Sequence, residues 1–188
     1  TVEMASVDPA SGWMIGNTMG LLLKKIGFDR TVEIQWLQRT AEMSSQNISA
    51  TEINQRLDDL LLDQIKGKDA RRKTRTVLMA VWAKTKKELH PLRADAFELL
   101  RSLKPQERLA IHWGMCMAVH PFFGDVATVT GRLIRLQGNA SGSEIQRRIQ
   151  ELYGERGTIP RVVQRLICTL QKWGVLTPAK AGDRKSVV

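Results

Sequence analysis

Apolar residues recur at three- and four-residue intervals along most of this chain, the repeat that turns one face of an α-helix inward. After a loose start over residues 1–11, the pattern predicts a helix over 12–27, built on Trp13, Met14, Ile15, Met19, Leu21 to Leu23 and Ile26 and stopped at Gly27. Asp29 is placed to cap a second helix carrying Val32, Ile34, Trp36, Leu37 and Met43. Ser49, with Glu52 three residues on, is a capping box. It opens a third helix with Ile53, Leu57, Leu60, Leu61 and Ile65, ending at Gly67. Residues 68–89 read as a long helix with a basic start, an apolar centre from Val77 to Trp82, and Lys84, Lys86 and Lys87 at the end that suits cations. His90-Pro91 breaks it. Helices over 92–103, 105–119 and 122–136 follow, with Pro105 at a first-turn position and Pro121 as a further break. Strands do not alternate with these helices, so residues 12–137 form a helical bundle.

The texture changes after the Gly138-Asn139-Ala140-Ser141-Gly142 loop. Ser143 is placed to cap a helix over 144–153, and Gly154 to Gly157 make a tight turn. Thr158 caps the next helix, with Pro160 in its first turn and Trp173 near its end. One face of that helix carries Val163, Leu166, Ile167 and Leu170, and the other Arg161, Gln164, Arg165, Cys168 and Lys172. Gly174 ends it; Val175-Leu176-Thr177 reads as a short strand, and residues 186–188 as its partner across a turn at Ala181-Gly182-Asp183. Helix, turn, helix and basic hairpin is the order of a winged helix-turn-helix. The expected fold is therefore mostly α: a multi-helix bundle ending in a winged helix-turn-helix-like module over 143–188, with a short β-hairpin, packed on the bundle.

Composition narrows the function. The 188 residues are 43% hydrophobic and 26% charged, which fits a soluble globular chain rather than a disordered one. No apolar run approaches the roughly 18–20 residues that cross a bilayer. The first dozen residues lack the basic stretch of a secretory leader, and two cysteines give no disulfide framework, so the expected location is cytoplasmic. There are 29 Lys and Arg against 19 Asp and Glu, a net charge of +10. The excess is polarised: residues 1–67 hold 6 basic and 9 acidic side chains, residues 68–130 hold 12 and 6, and residues 131–188 hold 11 and 4. A cationic surface gathered late in the chain suggests a polyanionic partner, and double-stranded DNA is the expected one. In that reading Arg161, Gln164 and Arg165 face the major groove, where Arg matches guanine and Gln matches adenine, and Thr158 and Lys172 are further DNA contacts of the same helix. Lys180, Arg184 and Lys185 on the hairpin reach neighbouring phosphates.

Arg71, Arg72, Lys73 and Arg75 form a second candidate patch at a helix start, where cations oppose the helix dipole. They read either as a further phosphate contact or as a charged face paired with Asp58, Asp59 and Asp63 of the preceding helix. His112, Cys116 and His120 share one helix face, but the first and last are about 12 Å apart along the axis, too far to hold one tetrahedral ion. A packed face with hydrogen-bonded imidazoles, Asp125 serving His120, is the expectation. No phosphate-cradling glycine loop, metalloprotease pattern or nucleophile elbow occurs, so no enzyme, metal or cofactor is expected. Trp13, Trp36, Trp82, Trp113 and Trp173 lie in apolar stripes and read as core.

The run Lys68-Asp69-Ala70-Arg71-Arg72-Lys73-Thr74, then Ala118-Val119-His120-Pro121 with Gly124-Asp125-Val126, and the last helix ending in Gly174-Val175-Leu176, resemble the BrxA accessory proteins of BREX phage-exclusion systems. The resemblance spans residues 67–176; the N-terminal third matches only in carrying an apolar helix near its start. It implies a small, helical, non-catalytic DNA-binding protein acting in bacterial antiviral defence beside larger enzymatic proteins. It carries over to Arg71, Arg72, Lys73 and Arg75. A helical scaffold docking an acidic protein, a winged-helix transcription regulator and an RNA-binding bundle stand as alternatives.

Overall fold

The computed structural model describes residues 26–46 and 48–177. Their regular structure is wholly helical: α1 (Ile34–Ser45), α2 (Ala50–Leu62), α3 (Lys68–Trp82), α4 (His90–Ser102), α5 (Arg108–Val119), α6 (Pro121–Gln137), α7 (Gly142–Tyr153) and α8 (Ile159–Lys172), with 3-10 turns at Lys87–Leu89 and Pro105–Glu107. The helix expected over 12–27 falls outside the described residues, apart from its last two positions, which are coil.

Helical periodicity decides which faces are buried. Ile53, Leu57 and Leu61 line the inner side of α2, Ile145, Ile149 and Tyr153 that of α7, and Val162, Val163, Leu166, Ile167 and Leu170 that of α8. Each such side chain contributes about 1.5–3 kcal/mol by leaving water. α3 packs on α1 and α2, and α5 on α1 and α3, with α4 laid along α5. From α5 the chain proceeds by neighbouring pairs to α6, α7 and α8, and α8 also touches α6. Trp36, Trp82 and Trp173 are buried and Trp113 is half-buried, as expected of core residues.

Several boundaries differ from the sequence reading. Asp29 caps nothing; it lies in a coil, and α1 begins five residues later with Glu33 at its N-cap. α2 ends at Leu62, and Gly67 precedes α3 as its N-cap rather than stopping α2. The long helix after Lys68 ends at Trp82, and Pro91 occupies the first turn of α4, so the proline starts a helix where a break was expected. Pro121 likewise opens α6. The cap of α7 is Ser141, whose hydroxyl accepts from the Glu144 amide while the Glu144 carboxylate accepts from the Ser141 amide; Ser143 is already helical.

The winged module is the largest correction. α7 and α8 stay in contact from Gly142 beside Gln164 and Ile167 to Gln146, whose amide donates to the Pro160 carbonyl. That pairing describes an antiparallel helical hairpin. No strand follows it among the described residues. Gly174 adopts φ 72° and its amide donates to the Gln171 carbonyl, while the Val175 amide donates to the Leu170 carbonyl. These two bonds are a Schellman cap, and Leu176 folds back into the core. The apolar pair after the glycine thus closes α8 instead of starting a strand. The return strand at 186–188 and the turn at 181–183 lie outside the described residues.

Residues 26–33 connect the two ends of the described chain. This coil runs parallel to α8: the Arg165 guanidinium donates to the Asp29 carbonyl, the Val32 amide to the Thr169 hydroxyl, and the Trp173 indole to the Val32 carbonyl. Phe28 is fully buried, 5.0 Å from the Phe123 ring and edge-on to His120, and Phe123 in turn meets Trp173.

Candidate nucleic-acid interface

α8 owes its exposed face to its own repeat. With every third or fourth residue committed to the core, Arg161 and Gln164 are left on the surface, and Thr158 stands exposed at the N-cap. The Thr158 side chain makes no capping hydrogen bond, which leaves a first-turn amide uncapped by it. Gln164 reaches only Cys168, at 3.7 Å from the sulfur. Arg161 makes no ion pair among the described residues. Arg165 and Lys172, expected on the same face, are turned toward the coil instead. The Arg165 Nη1 lies 2.7 Å from the Asp29 carbonyl, and Lys172 pairs with Glu33. Lys180, Arg184 and Lys185 lie outside the described residues.

The coil supplies a cation that the sequence reading missed. Arg30 is 15% exposed at its side chain; its Nη1 reaches the same Asp29 carbonyl at 3.3 Å, and its Nη2 lies 3.8 Å from the Asp29 carboxylate. Burial first, then the charges of Arg30 and Arg161, press the Arg165 pKa below its ordinary value. Three guanidinium groups thus gather where one carboxylate is present. Nothing in the local pattern around Arg30 marks it, because its neighbours come from a helix 130 residues away. Arg132 and Arg135, on the exposed side of α6, were likewise read only as helix.

The Arg71–Arg75 cluster divides. Arg71 is turned inward: its Nε lies 3.2 Å from the Asp58 carboxylate, and its Nη1 donates to the Ile65 and Lys66 carbonyls at 2.9 and 3.0 Å. Arg75 approaches the same Asp58 oxygen at 2.8 Å. These two hold α3 against α2 and the turn between them, so the acid-paired alternative describes them, through Asp58 alone of the three acids named. Arg72 and Lys73 remain toward solvent, both drawn to Asp69, whose pKa the Arg72 hydrogen bond lowers.

The polar groups of α5 are packed rather than displayed. The His112 Nε2 is 2.9 Å from the Gln38 amide oxygen, and the ring meets Trp82 edge-on. Cys116 is fully buried, which raises its thiol pKa and keeps it protonated. Asp125 accepts a 2.5 Å hydrogen bond from the Tyr153 hydroxyl. Among the described residues no group of three or more His, Cys, Asp and Glu is placed to hold a metal ion, and no helix is long and apolar enough to cross a membrane. No protein-family model, curated protein or solved structure matches this chain.

Proposed function

We propose that this is a non-catalytic protein that binds double-stranded DNA, with the exposed start of α8 as its contact surface. The observation that carries this reading is the charge at that helix start. Arg161 sits in the first turn, where the helix dipole disfavours a cation, without an ion pair among the described residues and beside Arg165 and Arg30. Folding stability alone would not select that arrangement; a polyanion laid across it would. Gln164, exposed one turn on, offers an amide to a base edge. The net charge of +10 adds long-range attraction. The resemblance of residues 67–176 to BrxA accessory proteins adds a setting, bacterial defence against phage beside enzymatic partners.

The test is retardation of a mixed-sequence duplex, a single strand and an RNA duplex over a range of salt. The native protein is expected to prefer duplex DNA, with affinity falling steeply as salt rises. Arg161→Glu is expected to weaken binding on the order of tenfold or more and to flatten the salt dependence. Equal binding by Arg161→Glu at every salt concentration removes α8 from the interface, and preference for RNA replaces the ligand.

A further inference from the structure

We infer that the coil around Asp29 and Arg30 is half of a phosphate site, in which Arg30, Arg161 and Arg165 close on one backbone phosphate of a duplex. The inference rests on the DNA-binding reading and assigns it a specific contact.

Geometry brings the three cations together. The Nη1 atoms of Arg165 and Arg30 reach one carbonyl oxygen, that of Asp29, at 2.7 and 3.3 Å, so they lie within about 6 Å of each other. Arg161 precedes Arg165 by four residues and stands one helical turn nearer the α8 N-terminus, on the same side. Against these three positive charges the structure sets one carboxylate among the described residues, Asp29, no closer than 3.8 Å to Arg30. Like charges this close repel, and a carbonyl dipole offsets the repulsion only in part. The Nε of Arg30 is shut off from water and has no hydrogen-bond partner, so the protein does not satisfy this guanidinium by itself. Burial first, and then the charges of Arg30 and Arg161, lower the Arg165 pKa.

An anion with two or more oxygens answers the excess of positive charge. A phosphodiester presents two non-bridging oxygens that match the forked donors of arginine. The α8 N-terminus adds its own positive end, where the Ile159 amide donates to the Arg156 carbonyl, Pro160 has no N–H, and the Arg161 amide is left over. The duplex backbone, rather than a free phosphate, is assigned because Arg161 and Gln164 lie open on the surface beside the cluster, where a large polyanion can reach them. Arg165 has a double task, since it also anchors the coil to α8.

The experiment measures binding of a mixed-sequence duplex, and separately of inorganic phosphate, to the full chain and to Arg30→Gln, Arg30→Lys and Arg161→Gln. Arg30→Gln is expected to weaken duplex binding about tenfold and to lower the slope of log K against log salt by about one, with Arg30→Lys intermediate. The Arg30→Gln/Arg161→Gln double variant is expected to lose less than the product of the single losses, because both hold the same group. If the native chain binds duplex and Arg30→Gln matches it in affinity and slope, this site is wrong while DNA binding stands. If Arg30→Gln fails a melting check, the exposed Arg161→Gln and the charge-preserving Arg30→Lys decide by the same two readouts. No duplex binding by the native chain overturns the DNA reading itself, and phosphate binding that depends on Arg30 would then reassign the site to a free anion.

Discussion

His112 is wholly buried, between the Trp82 ring and the Gln38 amide. Burial, and then the nearby charge of Arg108, bring its pKa down to about 4, from 6.5 for an exposed imidazole. The folded protein therefore keeps this ring neutral, while the unfolded chain protonates it below about pH 6.5. Between those two values the unfolded state binds the extra proton, so stability falls as pH drops from 6.5 toward 4 and levels off below. The depression amounts to about 3 kcal/mol across that window. Denaturant unfolding at stepped pH is expected to show the decline, and His112→Gln to flatten it; an unchanged slope in the variant would place the titration elsewhere. The sequence already argued for a packed imidazole, since the His112 to His120 spacing is too long for one ion. It could not supply Gln38 as the hydrogen-bond partner, which comes from a helix 74 residues earlier.

Single helices show why some residues with a functional look are structural. Arg71 and Arg75, one turn apart on α3, both converge on the Asp58 oxygen of α2, and Arg71 also ties down the Ile65 and Lys66 carbonyls. Asp58→Asn removes the charge that balances two largely buried guanidinium groups and is expected to cost about 2 kcal/mol. The urea midpoint should fall with the slope of the transition unchanged, and duplex affinity should stay at the native level. A native midpoint would show that the pair contributes nothing net. From sequence, a basic run at a helix start cannot say which members point inward, because that depends on where the preceding helix ends. Here α2 stops at Leu62 and the chain turns back through residues 63–67, which sets Asp58 beside the second turn of α3. Element type was legible from α1 to α8 because the apolar stripes repeat at helical spacing. The wing was misread because a glycine followed by two apolar residues serves a Schellman cap as well as a strand. Only the backbone bonds to Gln171 and Leu170 distinguish them.

Across the whole molecule, the contacts of residues 26–33 with α8 are what local pattern could not reveal. The sequence treated this stretch as the junction of two helices, and it therefore missed Arg30. The coil instead spends its amides, carbonyls and Phe28 on the far end of the chain. Thr169 is the hinge pin of this closure: its hydroxyl accepts from the Val32 amide at 3.2 Å and donates to the Arg165 carbonyl at 2.9 Å. Thr169→Val keeps the shape but leaves a buried amide without its acceptor, at a cost of about 1–3 kcal/mol. Hydrogen exchange at the Val32 amide is expected to accelerate by the corresponding factor. An unchanged rate would mean that the coil is held by its other contacts, those of Phe28, Trp173, Arg165 and Lys172.

The same closure bears on how the protein is made. The acceptor for the Val32 amide is synthesised 137 residues after it. At the usual pace of roughly 5–20 residues per second, the ribosome keeps the coil waiting about 7–27 s for α8 to emerge. Phe28 and Val32, both sealed in the finished molecule, spend that interval without their cover. The last described helix is therefore the piece that lets the earliest described segment settle. A ribosome stalled short of Thr169 would carry a chain whose apolar coil still lacks its cover.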